Sequence, residues 1–332
     1  MSKYPLDKDL FSDTPAVDPT RAGFGRGLKL AGDADERVVA LCADLAESVK
    51  VDAFAAAHPA RYVEVGIAEQ NLATVAAGMA AAGKIPFAAS YAAFSPGRNW
   101  EQIKTTAALN ELPVKIVGGH SGLTVGPDGA THQMLEDLAM MRVMPNMVVI
   151  CPGDALEAEK ATLAVAKTED PTYLRLTREK TPTFSTPESP FEIGKAYVVR
   201  EGSDVSIIST GIMTPYALLA AHILEKKGID AEVVHAPTVK PLDTETIVAS
   251  VKKTGRAVTV EDAQVIGGLG GAIAELLCDD MPAPLRRIGM HDRYGESGAP
   301  LELISHFGMD GPGISRQVEE FVKSRPQYKA GY

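Results

Sequence analysis

Short apolar runs alternate with helix-length segments along the first half of the chain. Six such runs lie at 37–45, 61–66, 85–91, 113–120, 147–153 and 171–177. They are apolar on both faces, which is typical of parallel strands that are covered by helices on both sides of a sheet. The pattern therefore predicts an α/β domain.

A proline-rich segment interrupts this alternation at 179–195. It reads EKTPTFSTPESPFEIGK and is typical of a linker. Four further apolar runs follow it, at 204–211, 230–239, 255–262 and 285–292. A chain of 332 residues is also long enough for two cores. We therefore predict two domains, 1–185 and 186–332, each a mostly parallel sheet covered by helices.

Composition narrows the class of partner. The net charge of −10 disfavours nucleic acid, whose binding surfaces are normally basic. The apolar run 72–83 is far shorter than the roughly 20 residues of a membrane span. The charged N-terminus lacks the apolar centre of a secretory signal, and Cys42, Cys151 and Cys278 form neither a disulfide framework nor a metal pattern. We expect a cytoplasmic protein that binds neither nucleic acid nor membranes.

Glu69 stands at the start of an almost wholly apolar segment. The stretch VGIAEQN at 65–71 precedes LATVAAGMAAAG, and a helix there would be apolar around most of its circumference and therefore buried, with Glu69 in its first turn. The helix N-terminus favours a carboxylate by about 0.3–1 kcal/mol, less than the several kcal/mol that desolvation of an ion costs. Two interpretations stay open. Glu69 caps its helix or pairs with an arginine, or it is held for a protonatable ligand atom.

A glycine-rich loop at 118–133 is the second candidate. It reads GGHSGLTVGPDGATHQ and places His120, Asp128 and His132 after a predicted strand, where open α/β sheets bind ligands. The histidine spacing does not fit a zinc site. The alternative is a surface turn with incidental histidines.

Other candidates are weaker. Tyr91 and Phe94, in YAAFSPGR, are core residues or a slot for a flat heterocycle. Three arginines either bind a phosphate or carboxylate as fixed cations or are solvated surface charges. They are Arg21, Arg175 and Arg178. The stretch GGLGG at 267–271 lacks the spacing of a phosphate-binding loop and predicts a tight turn and a helix start.

Five motifs resemble the transketolase family. Four of them, RYVEVGIAEQN, PFAASYAAF, the long loop that begins at Gly118 and CPGDALEA, are similar to its pyrimidine-binding domain. The fifth, GESGAPLELISHFGM at 295–309, resembles its C-terminal domain. The family's diphosphate domain carries a GDG motif and paired asparagines that hold Mg²⁺, and no GDG occurs in this sequence. The chain therefore resembles the C-terminal subunit of a split transketolase, whose other half is a separate polypeptide.

The resemblance implies a cofactor site for thiamine diphosphate. The glutamate that matches Glu69 hydrogen-bonds a ring nitrogen of the aminopyrimidine and supports the proton transfer that activates the cofactor. By the same match, Phe94 stacks on the pyrimidine, Tyr91 flanks it, and Asp44 lies on the thiazolium side. The Mg²⁺ ligands are expected in the partner subunit. Arg98 is left without a role, because the loop SPGR is one residue longer than in related deoxyxylulose-phosphate synthases.

A substrate site is implied as well. His132, expected with Glu69 to be catalytic, and Asp128 contact the hydroxyls of the donor sugar. The remaining matched residues contact the sugar phosphate, and they are His120, Arg178, Arg21 and Ser48.

The implied activity is that of a pentose phosphate pathway transketolase, which moves a two-carbon ketol unit from a ketose phosphate to an aldose phosphate. The chain is expected to form a homodimer that recruits two N-terminal, diphosphate-binding subunits into a heterotetramer. Three alternatives stay open: the β-type subunit of a thiamine-dependent 2-oxo-acid dehydrogenase, an enzyme like deoxyxylulose-phosphate synthase, and a non-catalytic regulatory or scaffold homologue.

Overall fold

A computed structural model describes residues 4–324. Within them the strands are β1 Val17–Asp18, β2 Val38–Cys42, β3 Tyr62–Glu64, β4 Ile85–Tyr91, β5 Lys115–Gly119, β6 Val148–Ile150, β7 Thr172–Arg175, β8 Thr181–Pro182, β9 Tyr197–Arg200, β10 Val205–Ser209, β11 Ala231–His235, β12 Thr238–Lys240, β13 Ala257–Gln264 and β14 Leu285–Met290. The ends of the two predicted domains, 1–3 and 325–332, lie outside the described residues.

Helices connect most of these strands. They are α1 Thr20–Ala34, α2 Asp52–Ala57, α3 Glu69–Ala81, α4 Trp100–Gln102, α5 Asp137–Arg142, α6 Ala155–Val165, α7 Met213–Glu225, α8 Thr244–Thr254, α9 Leu269–Asp279, α10 Pro300–His306 and α11 Gly311–Ser324. A single turn of 3₁₀-helix at Pro59–Arg61, a kinked 3₁₀ segment at Leu123–Asp128 and a π-helical segment at Ile103–Ala108 add to them.

The first half of the chain supplies six strands of a seven-stranded sheet, whose order is β12-β6-β7-β5-β4-β2-β3. Its strands are parallel except β12, which runs antiparallel to β6. Apolar residues of α1, α2 and α6 pack on one face and those of α3 and α5 on the other. Because both faces are covered, every residue of β2 is buried.

The second half builds a five-stranded sheet in the order β14-β13-β10-β11-β9, parallel except at β9. Helices α7 and α11 pack on one face, and α8 and α9 on the other. The predicted fold class, two mostly parallel sheets covered by helices, is thus confirmed. Each of the ten predicted runs contains a strand, and GGLGG forms the turn and first residues of α9.

The proline-rich segment is anchored to the first half rather than free. Its β8 pairs with β1, and the amides of Phe184 and Ser185 donate to Asp154 Oδ2 at 3.0 and 2.8 Å. The other carboxylate oxygen of Asp154 accepts from the amide of Glu157 and so caps α6. Beyond this segment the chain returns to the first sheet as β12, so the second half supplies the edge strand of that sheet.

A buried arginine joins the two halves. Arg175 of β7 donates from Nε to Asp137 Oδ2 of α5 at 2.8 Å and from Nη1 to Asp262 Oδ1 of β13 at 2.6 Å. All three side chains are at most 1% exposed. Burial raises the pKa of Asp262, and the Arg175 guanidinium counteracts that shift. Arg175 therefore compensates two buried carboxylates at the junction of the sheets.

Arg175→Met is expected to destabilise the chain by about 3–5 kcal/mol, because it leaves buried carboxylates without their cation. Urea unfolding of the purified chain measures the loss. The matched control is Arg142→Met, which removes a second bridge between the halves, from α5 to Glu275 of α9, where the carboxylate is 62% exposed. There the cost should be about 1 kcal/mol or less, and equal losses in the two variants would contradict this role of Arg175.

Candidate functional site

Most of the predicted site residues follow the carboxyl ends of neighbouring parallel strands, whereas Arg21 lies on α1. These ends belong to β7, β5, β4, β2 and β3, which are adjacent in the sheet. Tyr91 ends β4, and the segments after the other four strands carry Arg178, His120, Asp44, Ser48 and Glu69. Ligands of open α/β sheets bind at this edge.

Glu69 begins α3 and is 2% exposed. Its Oε2 accepts from Arg98 Nη1 at 2.7 Å, and its main-chain oxygen accepts from Asn99 Nδ2 at 2.7 Å. The pairing with an arginine left open above is thus observed. The sequence analysis missed Arg98 as the partner because it lies 29 residues away.

Helix α3 is less enclosed than its composition predicts. One face is buried, including Leu72 and Ala76, whereas Thr74 and Gly78 are exposed. The expectation that this helix is buried around most of its circumference is therefore wrong for the described chain, residues 4–324. The small alanine side chains cover one face and leave the other uncovered in the single chain.

Four rings form an aromatic cluster, defined as Tyr91, Phe94, His120 and His132. Tyr91 stacks on His120 with ring centroids 3.8 Å apart and on Phe94 at 5.8 Å. His132 meets Phe94 edge to face at 5.6 Å. The cluster presents flat apolar surface beside Glu69, since the Arg98 that binds Glu69 also lies 5.1 Å from the centre of the Phe94 ring.

Two arginines, Arg21 and Arg178, form a cationic corner next to the cluster. Arg21 Nη1 donates to the main-chain oxygen of Ser48 at 2.7 Å and lies 3.5 Å from His120 Nε2. Arg178 Nη1 donates to the main-chain oxygen of Val125 at 2.9 Å. Burial and the nearby charge of Arg178 lower the pKa of Arg21. Two like charges held close together favour a bound anion.

His120 adds hydrogen-bonding capacity to this corner but no charge. Burial, then Arg21, Arg178 and His132, lower the pKa of His120 to about 3. The imidazole is therefore neutral at physiological pH. His120 Nδ1 and Arg21 Nε are buried and find no hydrogen-bond partner among residues 4–324, which fits a site that a ligand completes.

Three predicted site residues are exposed or make contacts other than those expected from their implied roles. Asp128 is exposed and lies 3.5 Å from Arg178. Ser48 contacts Arg21 through its carbonyl rather than its hydroxyl. Asp44 is exposed with φ +59°, and no hydrogen bond or ion pair in the described part of the chain joins it to Glu69.

Glu64 organises the backbone around Asp44, and the sequence analysis assigned it no role. Its Oε1 accepts from the amides of Asp44 and Gly66, both at 2.8 Å, and its Oε2 accepts from the Tyr62 hydroxyl. A carboxylate within the apolar run RYVEVG is the signal that points to it. Glu64 fixes the ends of β2 and β3 where they enter the site.

The second half of the chain supports the glycine-rich loop. Gln133 Nε2 donates to the main-chain oxygens of Leu123 at 3.2 Å and Glu296 at 2.9 Å. A Cβ at Gly129, where φ is +71°, would lie 2.4 Å from Ser297 Oγ. The motif GESGAP therefore packs against the loop that carries Asp128 and His132.

The described part of the chain shows neither a metal-binding cluster nor a membrane-spanning helix. Residues 4–324 contain no group of three or more His, Cys, Asp or Glu side chains placed to hold a metal ion. Over the same range, none of the helices combines the length and apolarity needed to cross a membrane. The three cysteines are free thiols.

Two family models match most of the chain. Residues 19–183 match the transketolase pyrimidine-binding domain, and residues 194–314 match the transketolase C-terminal domain. A putative transketolase C-terminal section from Methanocaldococcus jannaschii is 44% identical over 91% of this chain and 96% of its own length. A 6-deoxy-6-sulfo-D-fructose transketolase subunit from Clostridium sp. is 43% identical over 88% of this chain and 90% of its own length.

The fold is also similar to solved structures. A split-gene transketolase, described as an inactive β4 tetramer, is 42% identical and superposes with a TM-score of 0.86, covering 92% of this chain and 98% of its own. The similarity extends over both sheets and thus over the junction at which Arg175 lies.

Proposed function

Since the chain belongs to the transketolase family, with its pyrimidine-binding and C-terminal domains in order, we propose that it is the C-terminal subunit of a split transketolase. With a partner subunit it transfers a two-carbon ketol unit from a ketose phosphate to an aldose phosphate. One observation carries the proposal: contacts run without a break from Glu69 through Arg98 and the aromatic cluster to the cationic corner. This arrangement places a carboxylate, a flat apolar surface and fixed cations side by side, as binding of a cofactor and a sugar phosphate in one site requires.

The residues fit thiamine diphosphate. When bound, the cofactor supplies the carbon nucleophile that cleavage of the ketose requires. Glu69, buried and at a helix N-terminus, holds a proton at the pyrimidine ring nitrogen. Phe94 would stack on the pyrimidine, Tyr91 would flank it, and Asp44 would lie on the thiazolium side.

The other end of the site takes the sugar. His132 and Asp128 contact its hydroxyls, and the cationic corner takes its phosphate together with His120 and Ser48. The unpaired Arg21 Nε and His120 Nδ1 support this assignment because a phosphate offers acceptors to buried donors. The Clostridium relative is named for a sulfonated sugar, so assays should include more than one anionic ketose.

The partner subunit completes the enzyme. It supplies the Mg²⁺ ligands and binds the diphosphate, and a homodimer of this chain recruits two such subunits. Apolar side chains beside α3 support an interface, since Ile67 is 75% and Leu109 74% exposed. A split-gene transketolase of similar fold is an inactive tetramer of β chains, which supports self-association of this chain.

Substrate assays of the complex separate this proposal from its alternatives. The chain is co-purified with its diphosphate-binding subunit and supplied with xylulose 5-phosphate and ribose 5-phosphate. Ketol transfer supports the transketolase. Decarboxylation of 2-oxo acids without ketol transfer to ribose 5-phosphate would instead favour a 2-oxo-acid dehydrogenase β-type subunit. Condensation of pyruvate with glyceraldehyde 3-phosphate would favour a deoxyxylulose-phosphate-synthase-like enzyme. No turnover of any substrate by a cofactor-loaded complex would leave the regulatory or scaffold homologue.

Arg178→Ala is expected to raise the Michaelis constant for xylulose 5-phosphate about 10- to 100-fold, because a hydrogen bond to a charged group contributes roughly 1.5–3 kcal/mol. The Michaelis constant for hydroxypyruvate, which has no phosphate, should change little. Steady-state assays with both donors measure the split. Lys180→Ala, an exposed cation two residues away, is the control. Equal losses on both donors would remove Arg178 from the phosphate site.

A further inference from the structure

Arg98 lies between Glu69 and Phe94, where the ring of the proposed cofactor would bind. Its side chain is 52% exposed, yet its Nη1 donates to the Oε2 of Glu69, whose side chain is 1% exposed. The same guanidinium lies 5.1 Å from the centre of the Phe94 ring. A flat, cationic donor thus contacts both groups that the proposed function assigns to the aminopyrimidine.

The ion pair compensates Glu69 while no ligand is bound. A buried carboxylate needs a partner, since desolvation costs more than the helix N-terminus returns. Among residues 4–324 the ion pair of Glu69 is with Arg98 alone. Arg98 therefore compensates the buried carboxylate in the free chain.

The same contacts oppose a ring ligand. Tyr91 and His132 already contact Phe94, so the guanidinium competes with a planar ligand for the surface that remains. In the described part of the chain the guanidinium has one hydrogen bond, the one to Glu69. About half of the Arg98 side chain is already exposed to solvent. Rotation of the side chain toward solvent would therefore free the space beside Glu69 and Phe94.

We propose that Arg98 is a displaceable counter-ion of Glu69, which holds the carboxylate in the free chain and moves into solvent when the aminopyrimidine binds. This inference rests on the proposed function, and it makes Arg98 a positioning residue that acts through Glu69. Arg98→Met keeps the length and the apolar stem but removes the charge and the donors. The cofactor then binds without displacing anything.

The first test measures cofactor affinity in the complex with the partner subunit. Calorimetric titration with thiamine diphosphate and Mg²⁺ should give about tenfold tighter binding for Arg98→Met than for wild type, which corresponds to about 1.4 kcal/mol. The control is Lys104→Met, an exposed cation on the same segment that does not contact Glu69. Unchanged or weaker binding in Arg98→Met, with wild-type binding intact, would overturn the counter-ion role alone. No binding by the wild-type complex would overturn the proposed function and this inference with it.

The second test uses the free chain and needs no cofactor. Arg98→Met leaves the buried carboxylate without its cation, so its thermal midpoint should fall below that of wild type. The double variant Arg98→Met with Glu69→Gln removes both charges and should regain part of the loss. A double variant no more stable than Arg98→Met would show that the two side chains are not coupled, and would overturn the proposal.

Discussion

Glu69→Gln should lower the turnover of the assembled enzyme by about a hundredfold to ten-thousandfold, the usual contribution of a positioned acid or base. Glutamine keeps the shape of the side chain and its place in the first turn of α3. It offers no carboxylate to hold a proton at the pyrimidine ring nitrogen. Cofactor binding should persist, because the aromatic cluster and the diphosphate end of the site are unchanged.

The measurement is a coupled transketolase assay at saturating substrates, with cofactor content determined on the same samples. Glu101→Gln is the matched control, because Glu101 is an exposed carboxylate on α4, three residues after Arg98 in the sequence. That variant should turn over like wild type. Near-normal turnover in Glu69→Gln would remove Glu69 from the mechanism.

The second large effect is the dependence of ketol transfer on the partner subunit. The chain alone should show no ketol transfer above background, and addition of the partner should restore it fully. The pyrimidine-side residues are present here, whereas the described residues include no metal-binding group and the sequence contains no GDG. In the family the cofactor lies between a pyrimidine-binding domain of one protomer and a diphosphate domain of another.

Activity is measured with xylulose 5-phosphate and ribose 5-phosphate for the chain alone, the partner alone and their mixture. The mixture made with Glu69→Gln serves as the negative control, since it assembles but lacks the carboxylate. Sustained turnover by the chain alone would show that the division of labour between two subunits is wrong.

Local patterns in the sequence predicted the strands and the position of Glu69. Parallel strands that are buried on both faces are uninterrupted apolar runs, so β2, β4 and β10 are visible without any knowledge of their neighbours. Glu69 was visible because a charge directly before an apolar helix is uncommon. The short antiparallel strands β1, β8, β9 and β12 were missed, since two to four residues carry no detectable period.

Long-range pairings were not predictable in the same way. Arg98 and Glu69 are 29 residues apart, and Arg175 joins Asp137 and Asp262 across two halves of the chain. Such pairs form because the fold brings them together and burial then requires compensation. Arg175 was one of three candidate cations for an anion, and the structure places it at the junction of the two sheets instead. Arg21 and Arg178, by contrast, lie together beside His120.

The most direct test of the split-subunit assignment is cofactor binding measured by calorimetry. Thiamine diphosphate is titrated with Mg²⁺ into the purified chain, into the partner, and into their complex, at micromolar cofactor. The account predicts no saturable binding to the isolated chain and saturable, Mg²⁺-dependent binding to the complex. Tight, Mg²⁺-dependent binding to the isolated chain would contradict it, because a diphosphate and metal site would then lie within this polypeptide.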